Sequence, residues 1–277
     1  MKTAFLIVLS IAIALLAYIL NLQLNKENSA NLNSQKKKVR VYKQFSMTDA
    51  DRSIYEDMLE DNPAAMILND GELILNTMGG KVALAKYLDV TPKKLSNYIA
   101  GFPRYIEKFD MVVGLDQVMQ AMTYDKKHKK LKLKSSTMFA LLAYVKSIAN
   151  GKKVNINIME NAHIYKAYVL GKKTFNQKRG GRGLSCMSCH SKDIIGRVLR
   201  TQPLPDLSSK GVGSAASWPA YRMTKSSLRT MQRRFQGCMK NALLKVIPIG
   251  SPEMVGLEVY LTKKAIGSKI AIPGLKR

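Results

Sequence analysis

The sequence predicts a mainly α-helical protein in which one helical domain occurs twice in tandem. Apolar residues recur at helical spacing, as in the stripe Met138, Leu141, Leu142, Val145 and Ile148, and such a stripe marks a helix face that packs against a core. A pattern also repeats. Tyr144-Val145 and Tyr260-Leu261 are followed at identical offsets by matching residues: Ala149, Gly151, Val154 and Ile156 in the first copy, and Ala265, Gly267, Ile270 and Ile272 in the second.

The repeat also sets the expected domain boundaries. Glycine just beyond the last apolar turn is a common helix end, and it closes a helix in each copy. The upstream parts match with one residue of slippage: Gly71, Leu75 and Gly79-Gly80 in the first copy, and Gly171, Phe175 and Gly180-Gly181 in the second. We therefore expect two domains, at residues 45–155 and 156–277.

One short motif indicates a cofactor. Residues 186–190 read Cys-Met-Ser-Cys-His, and C-x-x-C-H is the attachment motif of a c-type haem, in which both thiols bind the porphyrin covalently and the histidine is the proximal iron ligand. A thioredoxin-like dithiol would follow a strand, whereas this motif follows a basic glycine-rich loop, Arg179 to Gly183. Zinc would need four ligands, usually from two such pairs, and only one pair is present.

The motif occurs in the second copy alone. There the glycine pair leads to Cys186, Cys189 and His190, whereas in the first copy it leads to Lys81 to Leu84, with no cysteine or histidine nearby. The predicted fold class is therefore mainly α, with two tandem cytochrome c-like domains of which only the second carries haem. We expect one covalently attached haem c.

The third cysteine, Cys238, is a candidate for the second iron ligand. Ser226 or Ser227 is expected to cap a helix whose inward stripe is Leu228, Met231, Phe235, Cys238 and Ala242. Arg234 lies one turn before Cys238, and a cation beside a cysteine favours the thiolate. Two alternatives stay open: Cys238 as a small buried apolar residue, or a methionine ligand from among Met223, Met231, Met239 and Met254.

The net charge and the N-terminal segment indicate which partners and which cell compartment to expect. The net charge is +26 and the pI about 10, which favours anionic partners, but no nucleic-acid-binding motif accompanies the lysine runs. The apolar run from Ala4 to Leu20 predicts a signal peptide or a retained membrane anchor at residues 1–24, followed by a polar linker at 25–44. Export agrees with covalent haem attachment, so we expect a periplasmic protein.

Two further stretches carry a family resemblance. Residues 217–222 read Ser-Trp-Pro-Ala-Tyr-Arg, and residues 232–238 read Gln-Arg-Arg-Phe-Gln-Gly-Cys. Together with residues 61–63, 102–105, 183–190, 200–205 and 273–274, they resemble SoxA, the cytochrome subunit of the thiosulfate-oxidising Sox system. The resemblance implies that Cys186 and Cys189 hold the haem, that His190 and Cys238 bind its iron, that Cys238 carries the catalytic sulfur, and that Arg234 is the active-site arginine that binds substrate.

The resemblance also implies an activity and partners. An L-cysteine S-thiosulfotransferase subunit joins thiosulfate to a cysteine of the carrier SoxYZ and passes electrons through its haem to a small cytochrome, SoxX. Members of the family carry a second haem or a disulfide in the first domain, and this sequence has neither, which removes about 3 kcal/mol of stabilisation if a disulfide is the missing element. Two other functions stay open: a non-catalytic periplasmic electron-transfer cytochrome c, and a thiosulfate dehydrogenase that forms tetrathionate.

Overall fold

The fold is known from a computed structural model, which describes residues 49–127, 130–194, 198–199, 202–209 and 213–276, besides Asn21 and Gln23. All but those two lie in one compact unit, Phe45–Arg277. The expected signal peptide or anchor at 1–24 and the linker at 25–44 otherwise fall outside the described residues. Within the described part, no helix combines the length and the apolar composition that a bilayer crossing needs.

The predicted mainly helical fold is confirmed, with short strands between the helices. The helices are α1 (Asp49–Glu60), α2 (Ala65–Asn76), α3 (Gly80–Tyr87), α4 (Pro92–Ala100), α5 (Leu115–Lys127), α6 (Ser136–Ser147), α7 (Ala162–Asn176), α8 (Met187–His190), α9 (Met231–Asn241) and α10 (Pro252–Lys264). The strands are β1 (Arg104–Ile106), β2 (Met111–Val113), β3 (Val198–Leu199), β4 (Gln202–Pro203), β5 (Ala220–Arg222), β6 (Ser227–Arg229) and β7 (Gly274–Lys276).

Two antiparallel hairpins share one geometry. In the first, β1 and β2 flank a 3₁₀ turn at Glu107–Phe109, and in the second, β5 and β6 flank a 3₁₀ turn at Met223–Lys225. Asp110 and Ser226 both close the turn in the left-handed conformation. Each position of the second hairpin follows its counterpart by 116 residues, as Ala220 follows Arg104. The same spacing relates α5 to α9 and α6 to α10, which begin at Leu115 and Met231 and at Ser136 and Pro252.

Two helix pairs cross at equally close contacts. A β-carbon on Gly71 of α2 would collide with the carbonyl oxygen of Ala140 on α6, and one on Gly171 of α7 would collide with that of Gly256 on α10. Ala140 and Gly256 are again 116 residues apart. Only glycine permits these approaches, which accounts for the matching Gly71 and Gly171 in the sequence.

The helix that carries Cys238 begins later than the sequence pattern predicted. Neither Ser226 nor Ser227 caps it, because Ser226 closes the hairpin turn and Ser227 begins β6, the strand that also contains Leu228. Thr230 is the cap, and its side chain accepts a hydrogen bond from the backbone N–H of Arg233 at 3.3 Å. Hairpin pairing thus outweighs the capping preference of serine at this point.

The apolar core is continuous across the predicted boundary at residue 155. One large cluster includes Leu75 and Leu141 from the first half and Val259 and Ile270 from the second. A smaller cluster underlies the C-x-x-C-H motif and consists of Phe175, Met239, Leu244, Ile247, Met254, Leu257, Tyr260 and Leu261. The second cluster fixes α7, α9 and α10 around the candidate site.

Candidate active site

His190 ends the short helix α8 and is held in a defined orientation. Its backbone N–H donates to the carbonyl of Cys186 at 3.0 Å, and the residue is buried. Its Nδ1 lies 2.8 Å from the carbonyl oxygen of Pro205. A hydrogen bond from one ring nitrogen to a backbone carbonyl fixes the tautomer and leaves the other nitrogen, Nε2, as the ligand atom.

Cys238 faces that free nitrogen. Its Sγ lies 3.9 Å from Nε2 of His190, although 48 residues separate the two along the chain. A metal bound between a nitrogen and a sulfur on opposite sides needs the two atoms roughly 4 Å apart, if its bonds resemble the ~2.0 and ~2.3 Å lengths known for zinc. The two side chains therefore fit the axial ligands of a haem iron.

The two thiols of the motif both lie near Cys238. Cys186 and Cys189 are half-buried, and among the three cysteines of the chain, all in the described part, none forms a disulfide. Burial and the nearby Cys238 raise the pKa of Cys186 to about 11, and the same two causes raise that of Cys189. Two free, partly accessible thiols near Cys238 and His190 fit residues that would hold a haem.

Three of the four alternative methionine ligands pack in the apolar core. Met239 is buried in the smaller cluster, and its Sδ accepts a hydrogen bond from the backbone N–H of Ile247 at 3.4 Å. Met254 is fully buried in the same cluster. Met231 packs in the large cluster. Of the candidate ligands, the structure brings Cys238 into contact with His190.

The electrostatics around Cys238 favour its thiolate. Burial by itself raises the pKa of this thiol, but the hydrogen bond with His190 and the charges of Arg234, His190 and Arg222 outweigh burial and lower the pKa to about 7. Arg222, on β5, is buried. Burial and the Arg234 charge lower its pKa to about 10, against the opposing effect of Cys238. The thiol and both arginines therefore share one site.

The C-terminal strand adds a third cation that the sequence did not reveal. β7 pairs in parallel with β5, and Lys276 lies opposite Arg222 in this pairing. Burial and the Arg222 charge lower the pKa of Lys276. No local pattern marks this residue as part of a site, because its position depends on pairing between segments 54 residues apart in the chain.

A buried polar network fixes α9 from the opposite side. Gln232 Nε2 donates to Oε2 of Glu258 at 2.7 Å and to Oδ1 of Asp116 at 3.3 Å, and its Oε1 accepts from the N–H of Gly250 at 2.9 Å. One turn later, Gln236 Nε2 donates to the carbonyl of Ile247 at 2.8 Å. The sequence analysis missed both glutamines; polar side chains four residues apart within an inward stripe were the available signal.

The most buried face of α9 is therefore shifted from the predicted one. Its buried residues are Met231, Gln232, Gln236 and Met239. Phe235, Cys238 and Ala242 of the predicted stripe are half-buried. The reason is that this second face lies between the core and the candidate site: Phe235 and Ala242 pack at the edge of the apolar core, and Cys238 contacts His190.

The relatives found by comparison belong to the class of protein that the candidate site itself indicates. A mainly helical fold with a C-x-x-C-H motif and a facing cysteine defines a c-type cytochrome. The L-cysteine S-thiosulfotransferase subunit SoxA of Hydrogenophilus thermoluteolus is 30% identical over 237 residues, which are 80% of this chain and 85% of the relative. The SoxA of Hydrogenobacter thermophilus is 27% identical over 247 residues, 81% of this chain and 93% of the relative.

The chain belongs to the SoxA family, and it is a subunit of an L-cysteine S-thiosulfotransferase that acts in thiosulfate oxidation. A chain of the SoxXA crystal structure from P. pantotrophus shares the fold, with a TM-score of 0.68, 22% identity, and coverage of 81% of this chain and 84% of that one. No family model matches the sequence.

Proposed function

We propose that the protein couples thiosulfate oxidatively to a cysteine of a SoxYZ-type carrier, with Cys238 as the catalytic sulfur. The observation that carries the proposal is the contact of 3.9 Å between Cys238 Sγ and His190 Nε2, made where Arg234 and Arg222 act on the same thiol. A ligand cysteine that only tuned an electron carrier would need no such cations. Two cations beside a sulfur, Arg222 buried and Arg234 half-buried, match a substrate that is both a sulfur compound and an anion.

The cofactor in this proposal is one haem c, attached through Cys186 and Cys189. His190 and Cys238 would bind its iron, and the Pro205 carbonyl would keep the imidazole in orientation through Nδ1. When bound, the haem supplies a one-electron relay from the sulfur chemistry to a small SoxX-like cytochrome, with which the protein forms a heterodimer. The setting is the periplasm, in agreement with the N-terminal apolar run, whether that run is cleaved or retained as an anchor.

In this proposal, positively charged side chains bind the negatively charged substrate. Thiosulfate is a dianion whose sulfonate oxygens accept hydrogen bonds, and arginine binds such groups through charge-assisted, paired N–H donors. Arg234 is the principal ligand in the proposal, since it lies one turn before Cys238 on α9 and lowers the pKa of the thiol. Arg222 and Lys276 add positive charge from β5 and β7. With the sulfonate so held, the terminal sulfane sulfur can reach Cys238 Sγ.

The proposed reaction at Cys238 has two steps. The thiolate and thiosulfate join in a sulfur–sulfur bond with loss of two electrons, giving a Cys–S–S–SO₃⁻ side chain. The carrier thiolate then attacks the sulfane sulfur and displaces the Cys238 thiolate, which completes an ordinary thiol–disulfide exchange. The net reaction is R–SH + S₂O₃²⁻ → R–S–S–SO₃⁻ + H⁺ + 2e⁻.

The two halves of the chain have separate roles in this proposal. Tandem copies of one domain, at 45–155 and 156–277, account for the recurrence of hairpins and helices at a spacing of 116 residues. The second copy holds the haem and the thiol. The first copy is a scaffold that packs against it through the common core.

One experiment separates this function from its two alternatives. Purified protein with its partner cytochrome is supplied with thiosulfate, with and without a SoxYZ-type carrier, and reduction of the cytochrome is followed together with tetrathionate. Coupling to a carrier predicts that reduction continues beyond a single turnover only when the carrier thiol is present, and that no tetrathionate forms. A thiosulfate dehydrogenase would make tetrathionate without carrier, and an electron carrier alone would oxidise no thiosulfate in either case.

A further inference from the structure

Leu243 adopts a backbone conformation that its side chain disfavours. It follows the end of α9 with φ of +56°. Its N–H donates to the carbonyl of Lys240, and the N–H of Leu244 donates to that of Met239 at 2.8 Å. This pair of bonds is the Schellman motif, whose left-handed residue is usually glycine. A bulky branched side chain there is a genuine outlier.

Packing within the protein does not account for leucine at this position. The side chain is 56% exposed, so it stabilises the core little. Among the described residues, the other non-glycine residues with positive φ are small and polar: Asp89, Asp110 and Ser226. Asp89 takes the same place after α3 that Leu243 takes after α9. Strained residues that persist without a packing role are candidates for function.

The surroundings of Leu243 form a basic patch with an apolar centre. Val246, three residues later, is 36% exposed, and Lys240 and Lys245 flank the pair on the surface. The loop at Gly180 packs directly on the Leu243 carbonyl, which places the exposed Lys178 and Arg182 in the adjoining loop. We name Lys240, Leu243, Lys245 and Val246 the docking patch.

The charge around the docking patch is one-sided. Residues 161–192 and 207–252, which contain the haem motif, α9 and the patch, hold 15 Lys and Arg and no Asp or Glu. Eight of the 19 acidic residues of the chain lie instead between Asp49 and Glu72. A surface of this kind selects an acidic partner through charge complementarity, and an apolar centre within a charged rim is the usual anatomy of a protein interface.

We propose that the docking patch binds the acidic carrier protein that brings its cysteine to Cys238. The inference rests on the proposed function. The partner that must approach most closely is the carrier, because a sulfur–sulfur bond requires contact, whereas an electron acceptor can accept at a distance. Leu243 lies two residues beyond the end of α9, the helix that carries Cys238, so a carrier bound there contacts the same short segment of the chain as the thiol.

The test uses the haem-loaded protein in complex with its partner cytochrome, and the variants Leu243→Gly and Leu243→Asn. Both residues tolerate positive φ, so the unfolding midpoint stays unchanged or rises. The KM for carrier should rise about tenfold, as at an interface anchor, with kcat and the haem spectrum unchanged. Asp89→Gly makes the same backbone change in the first half and should leave the KM unchanged. Lys245→Glu should also raise the KM, and more at low salt than at high salt.

Three outcomes would overturn the inference. One is a KM for carrier within twofold of wild type in both Leu243 variants. Another is a slower reduction of the partner cytochrome with an unchanged KM, which would assign the patch to that cytochrome. The third is a changed haem spectrum or potential, which would show that Leu243 covers the haem. If the wild-type protein itself fails to use carrier, the proposed function fails, and that result is distinct from all three.

Discussion

Cys238 on α9 takes the position that Met122 takes on α5, 116 residues earlier in the chain. Met122 is fully buried in the large apolar cluster, whereas Cys238 is half-buried and faces His190. The same spacing relates Arg234 to Val118, which is also fully buried. Equivalent positions on equivalent helices therefore contribute to the core in the first half and to the candidate site in the second.

This relationship predicts that the mature protein carries one covalent haem. The first half fills the place of the ligand cysteine with core side chains, and its glycine pair is not followed by cysteines. Intact mass after expression with the haem-ligation machinery should show one added haem, and Cys186→Ala with Cys189→Ala should show none. A mass that corresponds to two haems would refute the prediction.

A second prediction concerns the axial ligand. The facing geometry of Cys238 and His190 predicts a low-spin, thiolate-ligated spectrum in electron paramagnetic resonance of the oxidised protein. Cys238→Met should abolish the thiolate signal and retain the haem. Met223→Leu, which removes a competing half-buried sulfur, should leave the signal as it is. A thiolate signal that survives Cys238→Met would transfer the ligand role elsewhere.

The close helix crossings predict opposite effects of alanine at two glycines of the second half. Gly171→Ala forces α7 and α10 apart, because the new methyl group would collide with the Gly256 backbone, and overpacking of this kind costs about 1–3 kcal/mol. Gly237→Ala, on α9, places its methyl group in open space and should stabilise the helix by about 0.5–1 kcal/mol. Denaturant unfolding of the two variants gives both values.

A similar free-energy loss in both variants would mean that backbone flexibility, rather than the close crossing, accounts for the glycine at 171. Gly71→Ala extends the test to the first half, where the methyl group would collide with Ala140. If the two helix pairs are equivalent, its cost should resemble that of Gly171→Ala.

The sequence predicted the parts of the site that local patterns encode. Cys186, Cys189 and His190 form a continuous motif, and Arg234 and Cys238 lie one turn apart on a helix. The start of α9 could not be predicted from capping preference, because Ser227 is taken into a strand by pairing with Arg222. Lys276 was missed for the same physical reason, since long-range strand pairing leaves no periodic signal in the sequence.

The buried hydrogen-bond network was the other feature that could not be predicted from the sequence. Gln232 reads as one more polar residue on a charged helix, yet it joins Asp116 and Glu258 in the interior. Gln232 connects these residues only because three helices, α5, α9 and α10, meet at this point. The amino-acid sequence near Gln232 does not show which helices meet. The apolar stripe predicted a helix in this segment, but it placed the start of the helix too early and its buried face about one position away from the observed one.

The buried carboxyl of Asp116 predicts a pH-dependent stability. Burial and the neighbouring Glu258 raise its pKa well above the usual 3.8. The folded state therefore holds a proton that the unfolded state has released, so the free energy of unfolding falls as the pH rises above that usual value. Asp116→Asn keeps the oxygen that accepts from Gln232, and it should raise the unfolding midpoint between about pH 5 and pH 8 and flatten its pH dependence.

Asp61→Asn is the matched control, since Asp61 is exposed and its substitution should leave the pH dependence in place. If Asp116→Asn lowers the unfolding midpoint across this pH range, the carboxylate is the stabilising form and the raised pKa is wrong.

Arg234→Ala should impair thiosulfate turnover far more than it impairs folding or haem content. Arg234 acts on the Cys238 thiol, and a substrate dianion deprived of this cation loses charge-assisted hydrogen bonds. Loss of one preorganised donor of this kind typically costs about 10² to 10³ in rate, or roughly 3–4 kcal/mol.

Lys225→Ala removes an exposed cation of the hairpin turn and should cost almost nothing. The measurement is steady-state thiosulfate oxidation with carrier and partner cytochrome, alongside the visible spectrum of each variant. If turnover of Arg234→Ala stays within about twofold of wild type, a change of only ~0.4 kcal/mol, the anion is held elsewhere, and Arg222 and Lys276 are the cations to replace next.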